Sequence, residues 1–248
     1  MTEIAFAECW YWLVICAVVC YFIGCFNFAV LISHIKKKDI REIGSGNPGS
    51  MNMTRTFGLK VGVINFTCDA IKGGLPALIG WLIFKDYIFA GTDIFVSDFI
   101  RYFCGVFVII GHIFPVTMKF KGGKGIASTL GLFLFALPCE RWWFVFIVLA
   151  FFVCLFLYIA ITEWGSMASL IGVSGLTIWQ AAMFIVRYEN EITSPWVVVL
   201  LLILLVINFL TWFAHRKNIL KLLAGEEHHT SVVKHKKKKN KARRNCGA

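Results

Sequence analysis

Residues 142–161 read WWFVFIVLAFFVCLFLYIAI, twenty positions with no charge, amide or aliphatic hydroxyl. A helix of that length, rising about 1.5 Å per residue, crosses a hydrocarbon layer about 30 Å thick. Outward from it, residues 10–32, 61–84, 99–118, 167–186 and 196–213 are apolar over comparable lengths, so six membrane spans are expected. Residues 125–138 form a seventh, shorter apolar stretch that fits either a re-entrant segment or a thin, tilted span. Composition agrees with the membrane class: 58% of the 248 residues are hydrophobic and 16% charged, where soluble domains run near 45–50% and about 25%.

The distribution of basic residues chooses between six crossings and seven. With seven, Lys36, Lys37, Lys38, Arg41, Arg55, Lys60, Lys119, Lys121, Lys124, Arg216, Lys217 and Lys221 share one side. The other side holds Lys85, Arg101, Arg141 and Arg187 among Glu3, Glu8, Asp86, Asp93, Asp98, Glu140, Glu189 and Glu191. With six, the first two basic loops and the basic C-terminus would lie on opposite sides. Basic loops stay cytoplasmic. The expected fold is therefore an all-α polytopic bundle of seven transmembrane helices, N-terminus outside and C-terminus in the cytoplasm. Only Glu3 and Glu8 stand as charges before the first apolar run, so that run is expected to remain a span rather than be cleaved as a signal.

The net charge of +11 is mostly a property of the end of the chain. Residues 234–248 hold eight Lys and Arg and no acid, and without them the net charge is +3. They divide the chain into a membrane domain, residues 1–233, and a basic cytoplasmic tail, residues 234–248, too poor in apolar residues to fold alone. Contact with anionic lipid suits such a tail, at roughly 1 kcal/mol per basic residue; nucleic acid is not an expected partner. The nine Cys lie mostly in apolar segments and form no C-x-x-C. They read as small apolar fillers, not as a disulfide framework or zinc site.

The residues able to do chemistry lie in short loops on the predicted cytoplasmic face. The first loop, Gly44-Ser45-Gly46-Asn47-Pro48-Gly49-Ser50-Met51-Asn52-Met53-Thr54-Arg55, has the glycines and Asn-Pro-Gly of a tight turn. Such a backbone can aim several N–H groups at one anion, and Arg55 adds a fork matched to phosphate oxygens. An ordinary turn would use many of the same residues. The second loop runs Gly111-His112-Ile113-Phe114-Pro115, then Lys119-Phe120-Lys121-Gly122-Gly123-Lys124-Gly125-Ile126-Ala127-Ser128. It opens directly into an apolar helix, whose unpaired N–H groups and dipole favour an anion. It is not a Walker A loop, because Met118 stands where the first glycine would and Gly125 follows Lys124.

The third segment, His215 to Glu226, follows the last span and puts His215, Asn218 and Leu222 near one helix face. A fourth, weaker segment is Glu163 to Ser169, with Ser166 at its centre. Asp69 and Lys72 lie three apart inside the second span, where ionisable groups face a partner or a polar cavity. Two patterns are rejected. His34 and Asp39 make H-x-x-x-x-D, but three lysines fill the gap and no partner motif follows; no G-x-S-x-G elbow occurs.

Together these loops resemble the acyl-phosphate:glycerol-3-phosphate acyltransferase family (the PlsY family) of bacterial inner membranes. Its first motif, S-G-N-P-G-A-T-N-x-x-R, matches Ser45 to Arg55; its second, G-H-x-F-P-V-x-x-x-F-K-G-G-K-G-V-A-T, matches Gly111 to Ser128; its third, H-x-x-N-I-x-R-L-x-x-G-x-E, matches His215 to Glu227. The chain departs from these at Ser50-Met51 for Ala-Thr, at Ile126 and Ser128 for Val and Thr, and at Lys221 for Arg.

The resemblance implies acyl transfer from a fatty acyl phosphate to the 1-hydroxyl of glycerol 3-phosphate at the cytoplasmic face, without metal or organic cofactor. Residues expected to take part in catalysis are Ser45, Arg55, His112, Lys124, His215 and Asn218. Those expected to bind substrate or phosphate are Asn47, Gly49, Ser50, Asn52, Lys121, Gly122, Gly123, Gly125, Ser128 and Ser166. In this reading Gly122, Gly123, Lys124 and Gly125 cradle the donor phosphate, and His112 orients the second loop or acts as a base. The competing class is a transporter of a phosphorylated or anionic solute, which would place its site at the bilayer midplane, often between repeated halves. No internal repeat is evident.

Overall fold

The computed structural model describes residues 1–225; Glu226, Glu227 and the basic tail lie outside the described residues. The chain is a helical bundle. Its order is β1 (Thr2–Ile4), α1 (Phe6–Cys25), α2 (Phe28–Ile35), α3 (Ser50–Phe57), α4 (Leu59–Phe84), β2 (Tyr87–Phe89), α5 (Val96–Ile113), α6 (Ile126–Ala136), α7 (Phe144–Thr162), α8 (Gly165–Arg187) and α9 (Pro195–Leu223). Among the described residues, six helical segments are long and apolar enough to cross a membrane, and α6 with the following turn to Cys139 is shorter.

Three features depart from the sequence expectation. The bundle is not purely helical: β1 pairs in parallel with β2, Thr2 opposite Tyr87, and clips the N-terminus to the loop after α4. A three-residue ladder carries no periodicity that a sequence could display. Next, the stretch 10–32 is not one helix but α1 and α2, broken at Phe26 and Asn27. Asn27 Oδ1 accepts from Val30 N (3.0 Å) to cap α2, and its Nδ2 donates to Pro48 O (3.3 Å). Finally, the last span does not stop near 213. It continues as one helix to Leu223, so the third motif from His215 to Leu223 sits on the same helix as the span.

The short helix α6 is held by backbone proximity rather than by length. A Cβ on Gly73 would lie 2.0 Å from Ser128 O, and one on Gly131 2.0 Å from Ala70 O. Only glycine lets α4 and α6 approach so closely, the packing mode membrane helices favour. The far end of α6 meets a buried ionic cluster. Arg101, fully buried, donates to Ala136 O and pairs with Asp98. Arg187 bridges Asp98 Oδ2 (2.6 Å) and Glu140 Oε2 (2.9 Å), and Tyr188 OH donates to Asp98 Oδ2 (2.7 Å). The near end of α6 follows Gly123, whose N–H donates to His112 O (3.1 Å). Arg101 lies in the second turn of α5 and His112 in its last, so α6 runs antiparallel beside that part of α5.

Candidate active site

A cavity of about 1020 Å³ occupies one end of the bundle. Three helix N-termini open onto it. In α3 the first intrahelical bond is Met53 N to Gly49 O (3.0 Å), in α6 Thr129 N to Gly125 O (2.8 Å) and in α8 Ala168 N to Trp164 O (3.2 Å). The N–H groups ahead of each bond have no partner within their own helix, and each helix dipole adds partial positive charge there. Around them stand Arg41, Arg55, Lys119, Lys121, Lys124, Arg216, Lys217 and Lys221; among the lining residues the one carboxylate is Asp69. The opposite wall is apolar, with Phe66 from α4, Ile126 and Leu130 from α6, and Phe152, Leu155, Phe156 and Ile159 from α7. Phe66 and Phe156 meet edge to face, ring centroids 6.4 Å apart. Phe156 is 59% exposed on the outer, apolar surface of the bundle, so this wall opens sideways.

Every residue expected to take part in catalysis or in substrate binding lines this cavity except Ser128. Ser128 is fully buried on the α6 side of the α4 contact. The geometry separates the others by what their polar atoms already do. Asn52 is buried, and its Nδ2 donates to Ile40 O (3.2 Å) and Ile43 O (2.9 Å) while its Oδ1 accepts from Ser45 N (3.2 Å). Its amide holds the first loop in shape. Ser50 Oγ accepts from Asn65 Nδ2 (2.9 Å), so that hydroxyl ties the start of α3 to α4. Ser45, Asn47, Gly49 and Arg55 remain at the cavity wall.

In the second loop, Gly122 N donates to Ile113 O (3.1 Å) and Gly123 N to His112 O (3.1 Å). Both N–H groups are therefore committed to the loop itself. The anion-facing backbone begins with the first turn of α6, just after Lys124 and Gly125. The His112 ring is 4% exposed, and its Nε2 would sit 2.3 Å from a Cβ on Gly123. The ring is pressed against the loop, an orienting placement rather than that of a base facing open space. Lys121 and Lys124 stay on the wall.

On α9, His215 Nδ1 lies 2.9 Å from Thr211 O. A carbonyl only accepts, so Nδ1 carries the proton and Nε2 is left as an acceptor. Asn218 Nδ2 donates to Ser166 Oγ (2.6 Å), joining α9 to the start of α8. The rejected pair sits elsewhere: His34 Nε2 is 3.9 Å from Asp39 Oδ2, and neither residue lines the cavity. Arg41 grips Asp39 through Nη2 (2.6 Å) and Nε, and holds that carboxyl down at about 2. Its acid form is thus absent at any physiological pH.

The sequence did not signal Arg41, Lys119, Arg216 or Lys217 as wall residues, nor the apolar wall. Nothing distinguishes Phe66, Phe152 or Phe156 from their lipid-facing neighbours along the chain. Asp69 was visible as an intramembrane acid but not as part of this site.

Residues 14–225 match the glycerol-3-phosphate acyltransferase family. A glycerol-3-phosphate acyltransferase of Finegoldia magna is 34% identical over 216 residues, 87% of this chain and 94% of that one. One from Mycoplasma pneumoniae is 34% identical over 83% of this chain and 89% of its own length. In three dimensions the chain is similar to the crystal structure of PlsY (YgiH), an integral membrane glycerol 3-phosphate acyltransferase, in its glycerol 3-phosphate form: TM-score 0.68, 30% identity, covering 88% of this chain and 94% of that one. The lysophosphatidic acid form of PlsY gives a TM-score of 0.66 at the same identity and coverage. With its loops, its cavity and its relatives in agreement over most of its length, this integral membrane chain belongs to the glycerol-3-phosphate acyltransferase family of PlsY.

Proposed function

We propose that the protein transfers a fatty acyl group from an acyl phosphate to the 1-hydroxyl of glycerol 3-phosphate, releasing lysophosphatidic acid and inorganic phosphate. The observation that carries this reading is the two-sided cavity. Its polar half joins eight cationic side chains to three helix N-termini, and its apolar half opens sideways between helices. Two phosphates and one acyl chain are the cargo such a cavity fits.

An acyl phosphate is already activated, so no enzyme nucleophile is required. The site supplies position and charge stabilisation. Lys124 and the first turn of α6 hold the donor phosphate. Arg55, Ser166 and Asn218 hold glycerol 3-phosphate, and His215 Nε2 accepts from a glycerol hydroxyl. The 1-hydroxyl oxygen attacks the acyl carbon, the bond from that carbon to the phosphate oxygen breaks, and the hydroxyl proton leaves with the phosphate. Lys121 and Ser45 stabilise the charge that develops between the two substrates.

The same reading assigns seven crossings, with the N-terminus outside and the cavity at the cytoplasmic face. The antiparallel course of α6 beside α5 supports it, as does the charge bias. Arg101 and Arg187 are consumed by Asp98 and Glu140, which leaves the solvent-facing basic residues concentrated at the cavity end. A site at the end of the bundle also favours an enzyme over a midplane transporter.

The test is acyl transfer to radiolabelled glycerol 3-phosphate by purified protein, with palmitoyl phosphate, palmitoyl-CoA and palmitoyl-acyl carrier protein compared. Lysophosphatidic acid should form from palmitoyl phosphate alone and fall at least about 100-fold in Lys124→Ala, the scale of losing one transition-state donor. Transfer from either thioester would overturn the assigned donor.

A further inference from the structure

We propose that Asp69 is a positioning residue: acting through His112, it sets the loop 122–125 against which the donor phosphate binds. This rests on the acyl phosphate reading above.

The observations lie at the buried base of the cavity, which Asp69 and His112 line. Asp69 on α4 is 1% exposed, and its Oδ2 accepts from Asn65 Nδ2 (3.1 Å). Its Oδ1 lies 3.1 Å from Lys72 Nζ and 3.8 Å from His112 Nδ1. Asp69 Oδ1 is engaged by the Lys72 ammonium, whereas His112 Nδ1 has no hydrogen-bond partner. Lys72 is itself fixed, donating to Gly24 O (3.2 Å) and Phe26 O (2.6 Å), the carbonyls released where α1 ends. A carboxylate, an ammonium and an imidazole therefore meet at the junction of α1, α4 and α5.

The imidazole transmits this arrangement upward. Its Nδ1 edge faces the carboxylate and its Nε2 edge abuts Gly123, while the backbone carbonyls of His112 and Ile113 accept from Gly123 and Gly122. A turned ring would displace Gly123, and with it Lys124 and the start of α6. At 3.8 Å the Asp69 carboxylate constrains the ring by its charge and its packing, not through a shared proton. The Asn65 amide extends the same chain to Ser50 Oγ at the start of α3. A simple intrahelical Asp–Lys pair accounts for neither the histidine nor the two α1 carbonyls.

The experiment compares Asp69→Leu with the double variant Asp69→Leu/Lys72→Met. The single change strands a buried ammonium and can cost folding by itself; the double change removes both charges and leaves an apolar pair, which cores commonly tolerate. The double variant also leaves Gly24 O and Phe26 O without the Lys72 donor, at about 1–3 kcal/mol each, so its thermal midpoint should fall while the protein still folds. Its KM for palmitoyl phosphate should rise about tenfold or more, as expected for a misplaced loop. Its KM for glycerol 3-phosphate should stay within about twofold. In a His112→Gln background the same double change should add almost nothing, because both act on one element.

Amide hydrogen exchange of residues 121–125 reads the loop without any reaction, and should quicken in the folded double variant. A folded double variant with unchanged exchange and an unchanged donor KM overturns the inference. A wild type that transfers nothing from palmitoyl phosphate overturns the proposed reaction instead, and the exchange measurement still decides whether Asp69 sets the loop.

Discussion

At the scale of single residues, the chemistry of the loops was legible and the division of labour was not. Residue type and spacing pointed to Asn52 as a substrate ligand. The structure commits its amide to Ile40 O, Ile43 O and Ser45 N, because a loop with so few internal backbone bonds needs a side chain to close it. Asn52→Ala should therefore act first on stability. It strands buried backbone groups, each worth about 1–3 kcal/mol, and thermal unfolding in detergent should report a loss in that range. A substrate ligand would instead leave the midpoint unchanged and raise only a KM. Gly122 and Gly123 teach the same lesson, since whether an N–H is available depends on the carbonyls of Ile113 and His112, earlier in the chain. His215 was legible as a histidine in the right place; that its Nδ1 is bound to Thr211 O depends on α9 running unbroken through the third motif.

At the scale of elements, apolar length found every long helix, and charge placement argued for the short one. What hydropathy could not convey was how α6 ends. Its last carbonyls sit among apolar neighbours, and a buried arginine, neutralised by two acids, satisfies one of them. Arg101→Met should leave Asp98, Glu140 and the Ala136 carbonyl without that partner. Breaking a buried pair from one side typically costs 3–5 kcal/mol, so the variant should lose about that much stability, again by thermal unfolding in detergent. The damage lies at the end of the bundle remote from the cavity, so the KM values of surviving folded protein should change little. The break between α1 and α2 was likewise hidden in the sequence. Asn27 stands among apolar residues that would otherwise continue as one helix, and the carbonyls freed there are met by Lys72, 46 residues beyond Phe26.

For the whole molecule, the asymmetry of charge was the most legible property. Arg101 and Arg187 meet acids at one end of the bundle, whereas eight basic residues line the cavity at the other. The basic tail, so prominent in the net charge, lies outside the described residues. The apolar wall was the least legible, because a lipid-facing phenylalanine and a ligand-facing one have the same neighbours in sequence. That wall has a kinetic consequence. With Phe156 both on the cavity wall and exposed, the proposed reaction would bring its hydrocarbon-tailed donor in along the plane of the bilayer and its water-soluble acceptor from the aqueous side. Encounter with the donor is then governed by its mole fraction in the surface rather than by its bulk concentration. In mixed micelles at constant total palmitoyl phosphate, adding inert detergent should slow the reaction in proportion to the surface dilution, and adding more glycerol 3-phosphate should not restore the rate. A rate that follows bulk donor concentration would count against this sideways route.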